Sequence, residues 1–234
     1  MNDFFAQIGD SFYKSVIYDN RYKYILEGLK NTLLIAFLAV IVGIMIGVLV
    51  SLIHDRYKEN KKGKILYYVT RVYVGVIRGT PTLLQLMILY YVIFRSVNIS
   101  IVFVGMLAFG INSGAYVSEI IRAGIESVDR GQMEASRSLG LSYGQAMRYV
   151  ILPQAIKNVM PALGNEFITL LKETSIAGYI GIIELTKASD IIASTTYDYF
   201  FPLILVALIY LCMTLGLSKI LKIIERKMDI YATN

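Results

Sequence analysis

The sequence predicts an all-α polytopic membrane protein of about five transmembrane helices, built as a single domain over residues 1–234. Three observations predict it. The chain is 56% apolar with a mean hydropathy of +0.59, more than a soluble core of 234 residues needs. Uncharged runs cover residues 31–53, 79–94, 96–118 and 199–218, and a helix crosses hydrocarbon in about 20 residues. No low-complexity tract, tandem repeat or soluble-domain-sized loop interrupts them.

The first 23 residues read as an interfacial helix. Phe4, Phe5, Ile8, Phe12 and Val16 recur every three to four positions, the spacing of one apolar helix face. A basic segment, a short apolar core and a cleavage site do not occur in that order, so no removable signal peptide is expected and the first span serves for targeting. That span, 31–53, carries Gly43 and Gly47 at small-xxx-small spacing, which suits close packing within the chain. His54 then opens a charged loop and is expected to face solvent.

The next element runs from Ile65 to Phe94, broken only by Arg71 and Arg78. Pro81 removes a backbone donor and drives Thr80 out of helical geometry, so Arg78, Thr80 and Pro81 predict a kink, with Gln85 one turn later placed to bond the opened backbone. The third span, 96–118, needs no argument beyond its composition. A fourth, 151–171, carries Lys157 and Glu166. Between 172 and 198 the central apolar segment 176–185 is too short to span, and it is expected to be re-entrant or an external cap. Cys212 sits within the fifth span and is expected to be buried. As the single cysteine it excludes an intrachain disulfide and a cysteine metal site.

The loop 122–150 carries signals of its own. Asp129 with Gln132, and Ser142 with Gln145, have capping-box spacing, and Gly140 permits a left-handed helix ending. Two short helices around a turn follow. The second has an apolar stripe of Tyr143, Ala146, Met147, Val150 and Ile151; the first offers only Met133, Ala135 and Leu139. So small a helix needs a partner to hold it.

A net charge of +6 does not mark a nucleic-acid surface, because the basic residues are distributed by topology. With the N-terminus outside, segments 54–64, 122–150 and 219–234 hold five, four and four Lys or Arg. The opposite segments 1–26, 95–98 and 172–198 hold three, one and two. The bias places the first set, and the C-terminus, in the cytoplasm.

The loop reads Glu134-Ala135-Ser136, then Gly140, then Val150-Ile151-Leu152-Pro153. It resembles the EAA motif of binding-protein-dependent ABC importer permeases, with Ser136 and Val150 as small departures. RGTPTLLQL at 78–86 and KETSI at 172–176 look like the polar amino acid branch, the histidine, arginine and glutamine type. The resemblance runs from about Glu27 to the C-terminus. It implies the type I permease fold in the cell inner membrane. It further implies a second permease chain, identical or related, an extracytoplasmic amino-acid-binding protein, and a cytoplasmic ATPase dimer that holds ATP and Mg. Glu134, Ala135, Ser136, Gly140, Leu152 and Pro153 take the coupling role on this reading. No GxxxxGK[ST] loop is present, so this chain is expected to be no enzyme and to hold no cofactor or metal of its own.

Charged and amide groups inside spans are costly and mark pathways. Glu119, near Asn112, Ser113 and Tyr116, Glu166 in the fourth span and Asp198 before the fifth are the candidate substrate contacts, for polar amino acids with basic ones among the candidates. The backbone N–H groups around Gly79 and Thr80 are candidates for the substrate carboxylate. The plainer reading pairs Glu166 with Lys157 or Lys172, and Glu119 with Arg122. A channel or signalling protein using the same loop, or more distantly an intramembrane hydrolase, are the rival classes. No nucleophile–base pair or metal cluster supports the hydrolase.

Overall fold

The computed structural model describes residues 9–230, and all of its regular structure there is helical. After a π-helical turn (Tyr13–Ile17) and a 3₁₀ turn (Tyr18–Asn20), helix α1 (Tyr22–Asn60) is 39 residues long and outlasts its uncharged run at both ends. It stops where Lys61 and Gly63 both take positive φ. Next, α2 (Lys64–Gly79) ends at Thr80, whose extended backbone (φ −124°, ψ 149°) is what a residue before proline adopts. After Pro81 the chain resumes as α3 (Thr82–Ile88), prolonged by a π-helical turn to Ile93, and the two pieces meet at 112°. The expected kink is therefore sharp. The central helix α4 (Ile101–Glu126) follows.

The loop contains α5 (Arg130–Ser138), whose N-cap Asp129 accepts from the Gly131 N–H. Gly131 is the second helical residue and Gln132 the third, and neither bond of the box between Asp129 and Gln132 is made among the described residues, so Asp129 serves as a simple N-cap and the predicted box does not form. At Ser142 the full box is present with Gln145, and Gly140 sits at φ +89°. The second short helix is not separate: α6 (Tyr143–Ala146) runs through a π-helical turn (Met147–Ile151) into α7 (Leu152–Glu173). The apolar stripe starting at Tyr143 thus belongs to a helix that continues into the fourth span, and the loop proper is shorter than 122–150.

After α7, a 3₁₀ turn (Thr174–Ile180) and α8 (Leu185–Thr196) fill the segment between the last two spans, and α9 (Phe200–Ile230) closes the fold. Three helices are long and apolar enough to cross a membrane, and the bent α2–α3 pair has the length and composition of a fourth, broken span or of a re-entrant loop. With its polar residues α7 misses that test, yet its 22 residues reach across hydrocarbon.

The core is a seam between α1 and α4. A side chain at Gly43 would lie 2.8 Å from Ser113 Cβ, and one at Gly47 2.7 Å from Val117 Cβ. Only glycine permits that approach, and the pair packs within the chain as the sequence led us to expect. Ile35, Ala39, Phe109, Leu86, Leu170 and Ile182 form the largest buried cluster. The segment after α7 is buried against α1: Asn31 Nδ2 donates to the Ile183 carbonyl at 2.8 Å, and the Leu185 N–H donates to Thr32 Oγ1 at 3.3 Å. Its irregular backbone is shielded by protein, which is compatible with both expected arrangements, a re-entrant segment and an external cap. Cys212 corrects an expectation: it is exposed on α9, on a helix whose apolar window is only 11% buried. Phe4, Phe5 and Ile8 of the N-terminal stripe lie outside the described residues; of the rest, Val16 is buried and Phe12 stacks edge-on against Phe201.

Candidate functional site

Inside the bundle, α4 and α7 meet at a polar pair. Ser113 Oγ donates to Glu166 Oε1 at 2.8 Å, and among the described residues no cation pairs with Glu166. Neither Lys157 nor Lys172 takes that place. One helix position before Ser113, Asn112 is buried and donates to Gln85 Oε1 at 2.9 Å, with Thr82 Oγ1 at 3.5 Å. The Gln85 amide nitrogen in turn reaches the Ile77 and Thr80 carbonyls at 2.7 and 3.0 Å. The expected repair of the kink is made, and the same side chain ties the kink to α4.

Around Glu166, α7 carries exposed Asn158, Asn165, Thr169 and Lys172, with Glu173 half-buried one heptad beyond Glu166. These positions recur at helical spacing on one side of the helix, so a span-length helix shows a polar face that the chain itself leaves uncovered.

The other predicted contacts divide. Glu119 accepts from Arg122 at 2.9 Å and faces Arg78 at 3.1 Å, while Arg122 also bonds Glu126 at 2.6 Å. Arg78 additionally lies 5.5 Å from the Tyr116 ring centre. Glu119 and Tyr116 are therefore committed to an ion-pair chain across α2 and α4, in line with the plainer reading of Glu119. Asp198 caps the start of α9, accepting from the Phe200 N–H at 2.9 Å. The structure joins Ser113 to Glu166, turns Asn112 toward Gln85 of α3, and engages Glu119 and Tyr116 with Arg78 and Asp198 with the start of α9.

His54 is half-buried, with Nε2 3.0 Å from Thr70 Oγ1. Its predicted solvent-facing position is corrected by the packing of α2 over α1, a contact between positions 16 residues apart that no local pattern announces.

At the loop, Glu134 and Ala135 are exposed and Ser136 is buried, its hydroxyl bonded to the Gln132 carbonyl. Leu139, one of the few apolar residues of the first loop helix, stands 85% exposed beside Gly140. Leu152 is half-buried and Pro153 exposed in the first turn of α7. Two cross-links fasten this region to the bundle. Tyr143 donates to Asp55 Oδ1 at 2.5 Å, and Asn158 Nδ2 donates to Ser127 Oγ at 2.8 Å. Burial, then the Asp55 carboxylate, push the Tyr143 phenol well above its ordinary value, so it stays a donor. Neither link was legible, since 88 and 31 residues separate the partners.

The described residues contain no group of three or more His, Cys, Asp or Glu placed to hold a metal ion. What the arrangement offers is an anion in a polar strip for a cation or donor, plus a capped helix and an exposed leucine at one end.

The putative glutamine transport system permease protein of Rickettsia typhi is 42% identical over 209 residues, covering 88% of this chain and 93% of that protein. The arginine transport system permease of Bacillus subtilis is 41% identical over 207 residues, covering 88% and 92%. A crystal structure of an amino acid ABC transporter with histidines superposes with a TM-score of 0.82 at 48% identity, covering 88% of this chain and 94% of that one. The inward-facing MetNI methionine ABC transporter shares the fold at a TM-score of 0.74 and 20% identity, covering 91% and 99%. Residues 39–230 match the binding-protein-dependent transport system inner membrane component, and the chain belongs to that family of permease subunits.

Proposed function

We propose that this permease subunit moves polar amino acids, basic ones among them, with Glu166 as the anion that meets the substrate's cationic group. The observation that carries this reading is the Ser113–Glu166 pair: a carboxylate in a membrane-spanning helix, held by one hydroxyl, on a polar face the chain does not cover. Such a group is costly unless it lines a watery route or receives a cation. The relatives named for glutamine, arginine and histidines support the same class. Asn112 and Ser113 position the site. Tyr116 and Glu119 act through the Arg78 and Arg122 ion pairs, and Asp198 through the entrance to α9.

A second permease chain, identical or related, faces the polar side of α7 and completes the path. The cytoplasmic ATPase dimer, carrying ATP and Mg, docks on α5, where Glu134, Ala135 and Leu139 are exposed. Gly140 sets the turn, and Leu152 and Pro153 pass displacement into α7, so that the bundle alternates between two accesses. An extracytoplasmic binding protein delivers substrate to the opposite end. The basic-residue bias supports an N-terminus outside and a C-terminus in the cytoplasm.

Reconstitution with the ATPase and the cognate binding protein in vesicles, using glutamine, arginine, histidine and methionine, tests the reading. ATP-dependent uptake of a polar member over methionine is expected. Uptake that ignores ATP, or a preference for methionine, overturns it.

A further inference from the structure

Along α4 the neighbouring helices leave one strip open. Gly110 and Gly114 turn to α1, Glu119 to α2, and Ser113 and Gly124 to α7. Successive helix positions rotate by about 100°, which puts Tyr116 between the Glu119 side and the Ser113 side, facing away from α1. Tyr116 and Ala123 are exposed there. One turn from Tyr116 toward the start of α4 the strip is closed, because Asn112 is buried against Gln85 and Thr82 of α3. The result is a trough with Tyr116 as its floor, α3 as its end wall, and α2 and α7 as its sides.

The two sides carry opposite charge. On α7 stands Glu166, with Ser113 Oγ as its partner. On α2 stands Arg78, which leaves the repair of the kink to Gln85 and its bonds to the Ile77 and Thr80 carbonyls. The Arg78 guanidinium lies 5.5 Å from the Tyr116 ring centre, and 43% of its side chain is exposed. Glu119 does not use it up. Arg122 holds both oxygens of Glu119, through Nε at 3.3 Å and Nη2 at 2.9 Å, and Arg78 adds one contact from Nη1 at 3.1 Å. A guanidinium has five N–H donors in a planar fork, so an edge of Arg78 remains for a second carboxylate. The charges agree: Lys58, Arg78 and Arg122 meet Glu119 and Glu126, three cations against two anions.

Arg78 and Glu166 reach the trough at Tyr116 and Ser113, positions whose Cβ atoms lie about 5–6 Å apart on a helix. An amino acid with a cationic side chain carries an anion at one end and a cation at the other, and it bridges such an interval. The backbone at Gly79 and Thr80 is the poorer partner for the anion, since it closes the C-terminal end of α2, where a helix offers carbonyls.

We propose that Arg78 receives the α-carboxylate of the substrate, with Tyr116 beneath the bound molecule and Glu166 at its other end. The assignment rests on the reading of Glu166 as the partner of the side-chain cation, and it adds the part of the site that every amino acid shares. Arginine suits a planar carboxylate because its parallel donors fix direction as well as charge.

Binding to the permease purified with its ATPase, without the binding protein, is measured by isothermal titration calorimetry for arginine and for agmatine, which is arginine without its carboxylate. Wild type binds arginine more tightly. Arg78→Gln lowers arginine affinity about 10- to 100-fold, the worth of a charge-assisted pair, and leaves agmatine binding as it was. Glu119→Gln loosens α2 without touching those donors and keeps the arginine preference, which separates a contact from a structural role. Glu166→Gln weakens both ligands alike; if it weakens neither, the reading of Glu166 fails while Arg78 keeps its place. Should Arg78→Gln bind neither ligand, Arg78→Lys decides, since it keeps a charge beside Glu119: a lowered preference with agmatine binding retained supports the contact, and loss of both ligands assigns Arg78 to the fold. Binding of neither ligand by wild type removes both readings. Equal binding of the two ligands by wild type, an undiminished preference in either Arg78 variant, or an equal loss in Glu119→Gln overturns the assignment.

Discussion

The α1–α4 seam and the α7 helix are both membrane-spanning, yet they solve opposite problems. Along the seam, small residues alternate with branched ones in both directions. Gly43 and Gly47 receive Ser113 and Val117, while Gly110 and Gly114 receive Val42 and Ile46. Lipid offers no hydrophobic drive for helices to associate, so close backbone approach and dispersion must supply the attraction. By contrast, α7 packs on one side only, with Ala155, Val159, Ile168, Leu170 and Leu171 buried and Glu166 and Asn158 bonded to Ser113 and Ser127. Its remaining face is polar and open. A span that keeps carboxylates, amides and a lysine uncovered is shaped for water, substrate or a second chain. The difference separates a part whose contacts are complete within one copy from a part whose contacts are finished by something else.

The largest effect is expected where the seam is forced apart. A side chain at Gly47 would meet Val117 and come within 3.0 Å of the Ser118 backbone nitrogen, whereas one at Gly75 on α2 meets nothing within 4 Å. Overpacking a tight core costs about 1–3 kcal/mol even for modest additions. Gly47→Leu should therefore abolish recovery of monodisperse permease in size-exclusion chromatography, and Gly75→Leu should leave it intact. Equal recovery of the two would show that the seam does not hold the fold.

Next comes the loop, where function should fail while the seam stays whole. Gly140 has open space around it, so the penalty of Gly140→Pro comes from the backbone: φ +89° becomes the −65° that proline requires. ATP-driven uptake should fall to background with insertion and purified yield unchanged, and Glu134→Lys should behave alike by reversing an exposed charge. Normal uptake by either well-inserted variant removes the coupling role from that residue.

Much of the architecture was legible because it rests on short-range rules. Hydropathy gave the spans, Pro81 the kink, Ser142 with Gln145 the cap, and Gly140 the positive φ. What escaped involves partners far apart in sequence: Tyr143 with Asp55, Arg78 with Glu119, Asn112 with Gln85. Nothing in one sequence specifies which of several polar residues in neighbouring spans will meet, so the six substrate candidates could be gathered by type but not sorted. The separation of α6 from α7 was misread for a related reason. Pro153 looks like a boundary, yet near a helix start it is compatible with a chain that continues through a π-helical turn.

That sorting yields a contrast between two carboxylates. Glu119 is already neutralised by Arg78 and Arg122, while Glu166 has one hydroxyl partner. Glu119→Gln should slow uptake of every substrate alike, because it loosens α2 from α4. Glu166→Gln should reduce arginine uptake about 10- to 100-fold more than glutamine uptake, the loss of one charge-assisted hydrogen bond of about 1.5–3 kcal/mol. Initial rates in vesicles decide between them. A uniform loss in Glu166→Gln assigns that residue to packing and removes the distinction between the wet and dry faces.

The smallest effect concerns the segment that joins the two regions outside the spans. Glu184 is buried at the start of α8, where Oε1 accepts from the Lys187 N–H at 2.7 Å and Oε2 from the Thr186 N–H at 2.6 Å. Burial outweighs those bonds and pushes its carboxyl up from 4.5 to about 7. Because the folded state then binds the proton more tightly than the unfolded chain, the stabilisation from protonation is fully present below about pH 4.5 and is lost as pH rises through about 7. Glutamine cannot titrate, and it keeps a single accepting oxygen for the two N–H groups. Glu184→Gln should therefore be less stable in its cap, yet show a flatter profile than wild type between those limits. Each pKa unit realised corresponds to about 1.4 kcal/mol, or roughly 3–6 °C in thermal midpoint for a chain of this length. Midpoints measured at pH 5 and pH 8 for both proteins give the comparison, since all other titrating groups cancel between them. Parallel shifts would mean that Glu184 is ionised throughout, its two backbone bonds outweighing burial, and that the segment closing the fold against α1 is as wet as the face of α7.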